Sequence, residues 1–120
     1  MDAATLAWMT RARAAKHWQW AVGMRIYRPL EVVTVAEDTG AKTKTPTSET
    51  YTITAVSSGV VTATGASWNL KGKMPPHFGV PDWDHSATRT AIRDRAKVVH
   101  PEATITASTP PEVLVPLLEA

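Results

Sequence analysis

Ala4, Trp8, Ala12, Ala15 and Trp18 recur at steps of three and four residues, with Asp2 placed to cap the segment, and the spacing predicts a helix over residues 2–18. Gly23 then lets the chain turn. From Met24 the pattern changes: MRIYRPLEVVTVAED is β-branched and partly alternating. Pro29 inside that run implies an edge strand or a bulge, so the segment reads as two short strands or one broken strand ending at Asp38-Thr39-Gly40. AKTKTPTS, residues 41–48, is polar, carries a proline, and reads as an exposed mobile loop. The strongest β signal follows. Tyr51, Ile53 and Ala55 alternate with Thr50, Thr52 and Thr54, and two such runs flank Ser57-Ser58-Gly59, which predicts a hairpin with a three-residue loop. Trp68 and Leu70 extend the sheet, and residues 71–85 form an irregular, proline-bearing connection.

Ser86 is a suitable N-cap for ATRTAIRDRAKVV, in which Thr88, Ala91, Ile92, Ala96 and Val99 make an inner stripe and Arg89, Arg93, Asp94 and Lys97 a wet face. His100-Pro101 ends this helix, because the residue before proline avoids the α region. ATITAS reads as a last short strand. PPEVLVPLLEA starts as a helix whose length Pro116 limits, and its apolar Val113, Leu114, Leu117 and Leu118 require a core or a partner to cover them. The whole is α+β and a single domain over residues 1–120. Its small twisted antiparallel sheet, a meander or a partly open barrel, is flanked by an N-terminal helix and a second helix near the C-terminus.

Composition narrows the chemistry more than it specifies it. Hydrophobic residues make up 43% and charged residues 20%, the balance of a globular chain. No apolar run is long enough for a membrane span, and an acid at position 2 with no apolar stretch after it argues against a secretory signal. The absence of cysteine excludes disulfides and thiolate chemistry. Net charge is only +2, although Arg11, Arg13, Lys16, Arg25 and Arg28 stand against Asp2 alone in residues 1–28. Basic residues beside aromatics make Arg11, Arg13, Lys16, Arg89, Arg93 and Lys97 candidate nucleic-acid contacts, opposed by the near-neutral total. His77, Asp82, Asp84 and His85 are metal-ligating types within one loop, but their spacing matches no motif with a geometric rationale. The bland reading of that loop is a corner that launches the next helix with Trp83 as its anchor. No Gly-x-Ser-x-Gly elbow or glycine-rich phosphate loop exists, and no cofactor is expected. Five tryptophans are many for one small core, which makes Trp18, Trp20 and Trp68, with Val113, Leu114, Leu117 and Leu118, candidate protein-interface residues.

The segment PDWDHSATRTAIRDRAKVV resembles a pattern in small proteins of tailed phages and prophages, Pro-Asp-x-x-Asp-Pro-Ala-Thr before a helix. Pro81, Asp82, Trp83, Ala87 and Thr88 match it. His85 stands where the pattern has Asp, Ser86 where it has Pro, and Thr90 where a glycine is expected. WQWAVGMRI, with Trp20, Gly23 and Met24, is similar to the lead into the β region of those proteins. The resemblance covers about twenty residues closely and about sixty loosely, and a cap followed by proline is itself a helix-start signature. It implies a phage or prophage origin and no reaction. The expectation is a non-catalytic accessory protein acting by protein–protein contact or self-assembly, in the cytoplasm of a bacterial host or in a virion. Nucleic-acid binding and a metal-dependent enzyme at the His/Asp loop are the alternatives.

Overall fold

A computed structural model describes all 120 residues, Met1–Ala120. Helix α1 (Ala3–Ala14) leads into five strands, β1 (Arg25–Val35), β2 (Lys42–Ser57), β3 (Val60–Gly65), β4 (Asn69–Lys73) and β5 (Val80–Pro81), followed by helices α2 (Ser86–Val99) and α3 (Pro111–Glu119). The sheet is open and antiparallel, in the order β4-β3-β2-β1-β5. β1 to β4 form a meander, and β5 returns to cover only Ile26 and Tyr27 of β1. The α+β architecture is therefore as expected, with the sheet unclosed and the helix that starts in the C-terminal tail running on through Pro116 to Glu119.

Asp2 caps α1, its carboxylate accepting the Thr5 N–H at 2.7 Å, and these hydrogen bonds hold the carboxyl below its ordinary value of 3.8. The helix stops at Ala14, four residues short of the expected end, because the turn after it is held from outside: the His17 N–H donates to the Leu118 carbonyl and Arg95 Nε to the His17 carbonyl. The buried stripe is also displaced from the expected one. Met9 and Ala12 are fully buried, Leu6 packs beside them, Ala4 is exposed and Trp8 is half-buried.

One core joins α1, the lower half of the sheet, α2 and α3 through Met9, Met24, Ile26, Tyr51, Ile53, Ile92 and Leu114. In α3, Leu114, Val115 and Leu118 are completely buried. Each such side chain contributes about 1.5–3 kcal/mol on burial. Together they outweigh the cost of Pro116 inside the helix, about 3 kcal/mol. The expected strand ATITAS, residues 103–108, does not form; the chain turns there on Thr106 and Thr109.

Two β elements depart from expectation. The β2–β3 loop has two residues, not three: Ser58 and Gly59 both take positive φ (51° and 79°), the pairing of a type I′ turn. The sheet's irregularity lies instead at Ile53–Ala55, where the register against β3 shifts. The larger departure is residues 41–48. All but Ala41 form no loop but the first half of β2, paired with β1 without interruption from Arg25↔Thr52 to Val35↔Lys42.

Candidate functional site

β3 accompanies β2 only from Tyr51 onward, and β5 leaves β1 after Tyr27. The remainder of the β1–β2 hairpin is a two-stranded ribbon that leaves the body. At a rise of about 3.3 Å per residue, β1 beyond Arg28 projects about 25 Å. The molecule measures 63 × 29 × 22 Å, and its radius of gyration is 16.5 Å. A compact domain of this length has about 14 Å. Every residue from Glu31 to Val35 and from Ala41 to Ser48 is exposed, with Val32 and Val33 each 50% exposed.

Backbone parity fixes what the ribbon presents. The Ile53 N–H donates to the Met24 carbonyl across to β2, whereas the Arg25 carbonyl accepts the Asp82 N–H on the other side. Polar backbone groups alternate along an antiparallel strand, so the odd-numbered residues of β1 beyond Arg25, and the residues of β2 opposite them, turn theirs to the outer edges. Pro29 and Pro46 both fall in that set, Pro46 being opposite Glu31. Each proline therefore removes a donor from an open edge and none from the ladder, which is why an uninterrupted strand tolerates them.

The two faces differ. Ile26 and Tyr51 are buried on the core side, and alternation carries that side outward as Arg28, Leu30, Val32 and Thr34 opposite Glu49, Thr47, Thr45 and Thr43. Beyond the Arg28–Glu49 pair at the root, this face holds no charge. The other face carries Glu31, Val33 and Val35 with Pro46, Lys44 and Lys42. The turn at the tip bears Glu37 and Asp38.

A chain of side chains braces the root. Trp68 Nε1 donates to the Tyr51 hydroxyl at 2.6 Å, and that hydroxyl donates to Glu49 Oε2 at 2.6 Å. Arg28 lies 3.5 Å from the same carboxylate oxygen and 4.5 Å over the Phe78 ring. Gly65 makes the bracing possible, since a Cβ there would stand 2.6 Å from the Tyr51 ring. Trp68 remains 61% exposed and borders an open cleft with Ser48, Glu49 and Ser67.

The sequence-predicted interface residues separate. Leu114 and Leu118 are core residues rather than contacts, since complete burial under α1 and α2 leaves them nothing to offer a partner. Leu117 is half-buried, and Val113 is 48% exposed. Trp18 and Trp20 pack edge to face at 5.1 Å and are half-buried against the core. Only Trp68 is a large exposed anchor, and it sits at the root of the arm.

The basic candidates are mostly occupied within the chain. Arg11 pairs with Glu119 at 2.6 Å and lies 4.5 Å over Trp8. Arg13 donates to the carbonyls of Gly79 (2.5 Å), Met74 (3.2 Å) and Pro75, and burial pushes its guanidinium down from its ordinary value. Arg89 donates to the Trp83 carbonyl at 2.7 Å, Arg93 stacks over Trp83 at 5.8 Å, and Lys97 donates to the Ala103 carbonyl at 2.6 Å. Of the six, Lys16 makes no such contact, and Arg93 has the Trp83 ring alone, its Nε buried without a hydrogen-bond partner.

The His/Asp loop does not converge on a point. Asp82, 5% exposed, accepts the Asp84 N–H at 3.1 Å in a local turn, and Asp84 pairs with the Met1 amino group at 3.2 Å. His85 Nδ1 lies 3.0 Å from Thr88 Oγ1, and His77 is exposed elsewhere; no three acidic or histidine side chains come together there or at any other place. The N-cap of α2 is His85, not Ser86, and Thr88 Oγ1 accepts the Arg25 N–H at 2.8 Å, tying the helix start to β1.

No family model matches the chain, and no curated protein or solved structure matches it either. No helix is long and apolar enough to cross a membrane.

Proposed function

We propose that the chain is a non-catalytic accessory protein that works by protein–protein contact or self-assembly, with the β1–β2 arm as its contact element. The arm itself carries this reading. An isolated two-stranded ribbon is marginally stable in water, and this one extends well beyond the sheet with both faces wet and its root held rigidly. Such an element contributes little to the fold of its own body and offers β-branched, uncharged surface to another. Charge favours a protein partner over nucleic acid: Glu31, Glu37 and Asp38 outnumber Lys42 and Lys44, whereas a ribbon that lies along phosphates needs a basic excess. The setting we propose is a tailed phage or prophage, with the chain in the cytoplasm of a bacterial host or built into a virion, on the strength of the Pro81–Thr88 resemblance.

The test is an arm-shortened chain. Val32 and Thr45 face each other, so replacing Val33–Lys44 by Asn-Gly closes the hairpin early without touching the core. The shortened chain is expected to keep its circular dichroism and melting temperature and to lose assembly with its partner, read as disappearance from purified particles or complexes of the host. Retention at the wild-type level in those complexes refutes the reading.

A further inference from the structure

The geometry points to a saccharide site in the cleft at the root of the arm, with the Trp68 ring as its stacking surface. This site is separate from the arm's contact role. The cleft opens because β3 ends at Gly65, whose N–H donates to the Trp68 carbonyl at 2.9 Å as the chain turns away from β2. Beyond that point β2 keeps an open edge. By the parity of the ladder, Ser48 and Thr50 turn their main-chain N–H and C=O to that edge. Both residues line the cleft with Glu49, Ser67 and Trp68, around a volume of about 310 Å³. Trp68 is 61% exposed, yet its ring is held in place, because Nε1 is committed to the Tyr51 hydroxyl at 2.6 Å. A preset aromatic surface costs a ligand little in ordering. Glu49 meets both the Tyr51 hydroxyl and Arg28 through Oε2, so Oε1 remains to accept from a ligand. The hydroxyls of Ser48, Thr50 and Ser67 make no hydrogen bond within the chain.

This chemistry selects the ligand. A sugar hydroxyl both donates and accepts, and the cleft sets donors and acceptors side by side: main-chain groups, serine and threonine hydroxyls and one carboxylate oxygen. The axial C–H groups of a pyranose pack on the face of an indole. Arg28 balances Glu49, so the site has no net charge to draw an ammonium over the ring. A peptide strand would extend the ladder over Ser48 and Thr50 only, because Pro46, next in that row, has no N–H to give. The volume lies at the small end of ligand sites and takes about one pyranose ring. Glu49 is the one carboxylate there, and glycosidic hydrolysis takes a pair, so the site binds without cleaving.

The test is titration of the isotope-labelled full chain, followed by nuclear magnetic resonance. The probes are neutral tetrasaccharides of β-linked glucose, mannose and N-acetylglucosamine, with choline as the cation probe and a threonine-rich hexapeptide as the strand probe. At least one tetrasaccharide is expected to shift the Trp68 indole N–H and the Thr50 and Ser67 amides, with a dissociation constant on the order of 1 mM. Trp68→Ala is expected to weaken that binding at least about tenfold with the circular dichroism spectrum unchanged, and Trp68→Phe to retain part of it. No shift of these resonances by any of the tetrasaccharides up to about 20 mM overturns the site. So does undiminished binding by Trp68→Ala, or a response to choline or the hexapeptide alone. The arm-shortened chain keeps Ser48, Glu49, Thr50 and Trp68 and is expected to bind saccharide like the whole chain, so this site and the arm's role fail separately.

Discussion

Arg13 lies on α1 among residues whose sequence pattern suggests an open basic face, yet its guanidinium closes three carbonyls of the 74–79 segment and faces the Trp20 ring at 5.1 Å. The planar fork holds its donors in fixed directions on separate nitrogens, so it spans carbonyls spread along the segment, which one compact ammonium does not. Arg13→Met is therefore expected to lower stability by about 2–3 kcal/mol in denaturant unfolding, with Arg13→Lys recovering only part. If lysine restores the full midpoint, the fork geometry is irrelevant. No sequence pattern announced this role, because the acceptors are main-chain carbonyls in a distant irregular stretch. Trp68 was legible as a candidate anchor from the aromatic excess. Its partners Tyr51, Glu49 and Arg28 were not, since their convergence depends on the register of three strands.

Among the elements, the sheet's inner half was readable because it is wet on one face and dry on the other: Tyr51 and Ile53 alternate with threonines as a half-buried strand must. The arm was not readable for the complementary reason. With both faces in water, Lys42–Ser48 has no dry side to impose a period of two, and its threonines, lysines and proline look like a loop. Helix α1 shows a milder form of the same problem, since alanines at many positions let two stripes compete and Met9 lies on the one that won. The strands that hold the arm's root are sensitive to volume. Gly65→Ala sets a methyl against the Tyr51 ring, and a loss of about 1–3 kcal/mol is expected by thermal or denaturant unfolding, with Trp68 emission altered as its bond to Tyr51 breaks. An unchanged midpoint would show that the ring has room to move aside.

At the scale of the whole molecule, the body and the arm answer to different demands. The body is one core under three helices, and Leu118→Ala, far from the arm, is expected to cost about 2–5 kcal/mol by calorimetry or denaturant. The corner at Pro81–Thr88 belongs to the body: it joins β5 to α2 and anchors Trp83 beneath Arg93. The arm's two prolines carry one more consequence. LEVVTV, residues 30–35, is the kind of β-branched run that seeds fibrils once its rims can template further chains, and Pro29 and Pro46 interrupt those rims on both sides. Replacing both by valine is expected to make the chain gelate at a concentration at which the unaltered chain stays clear, with thioflavin-positive filaments growing from the ribbon outward.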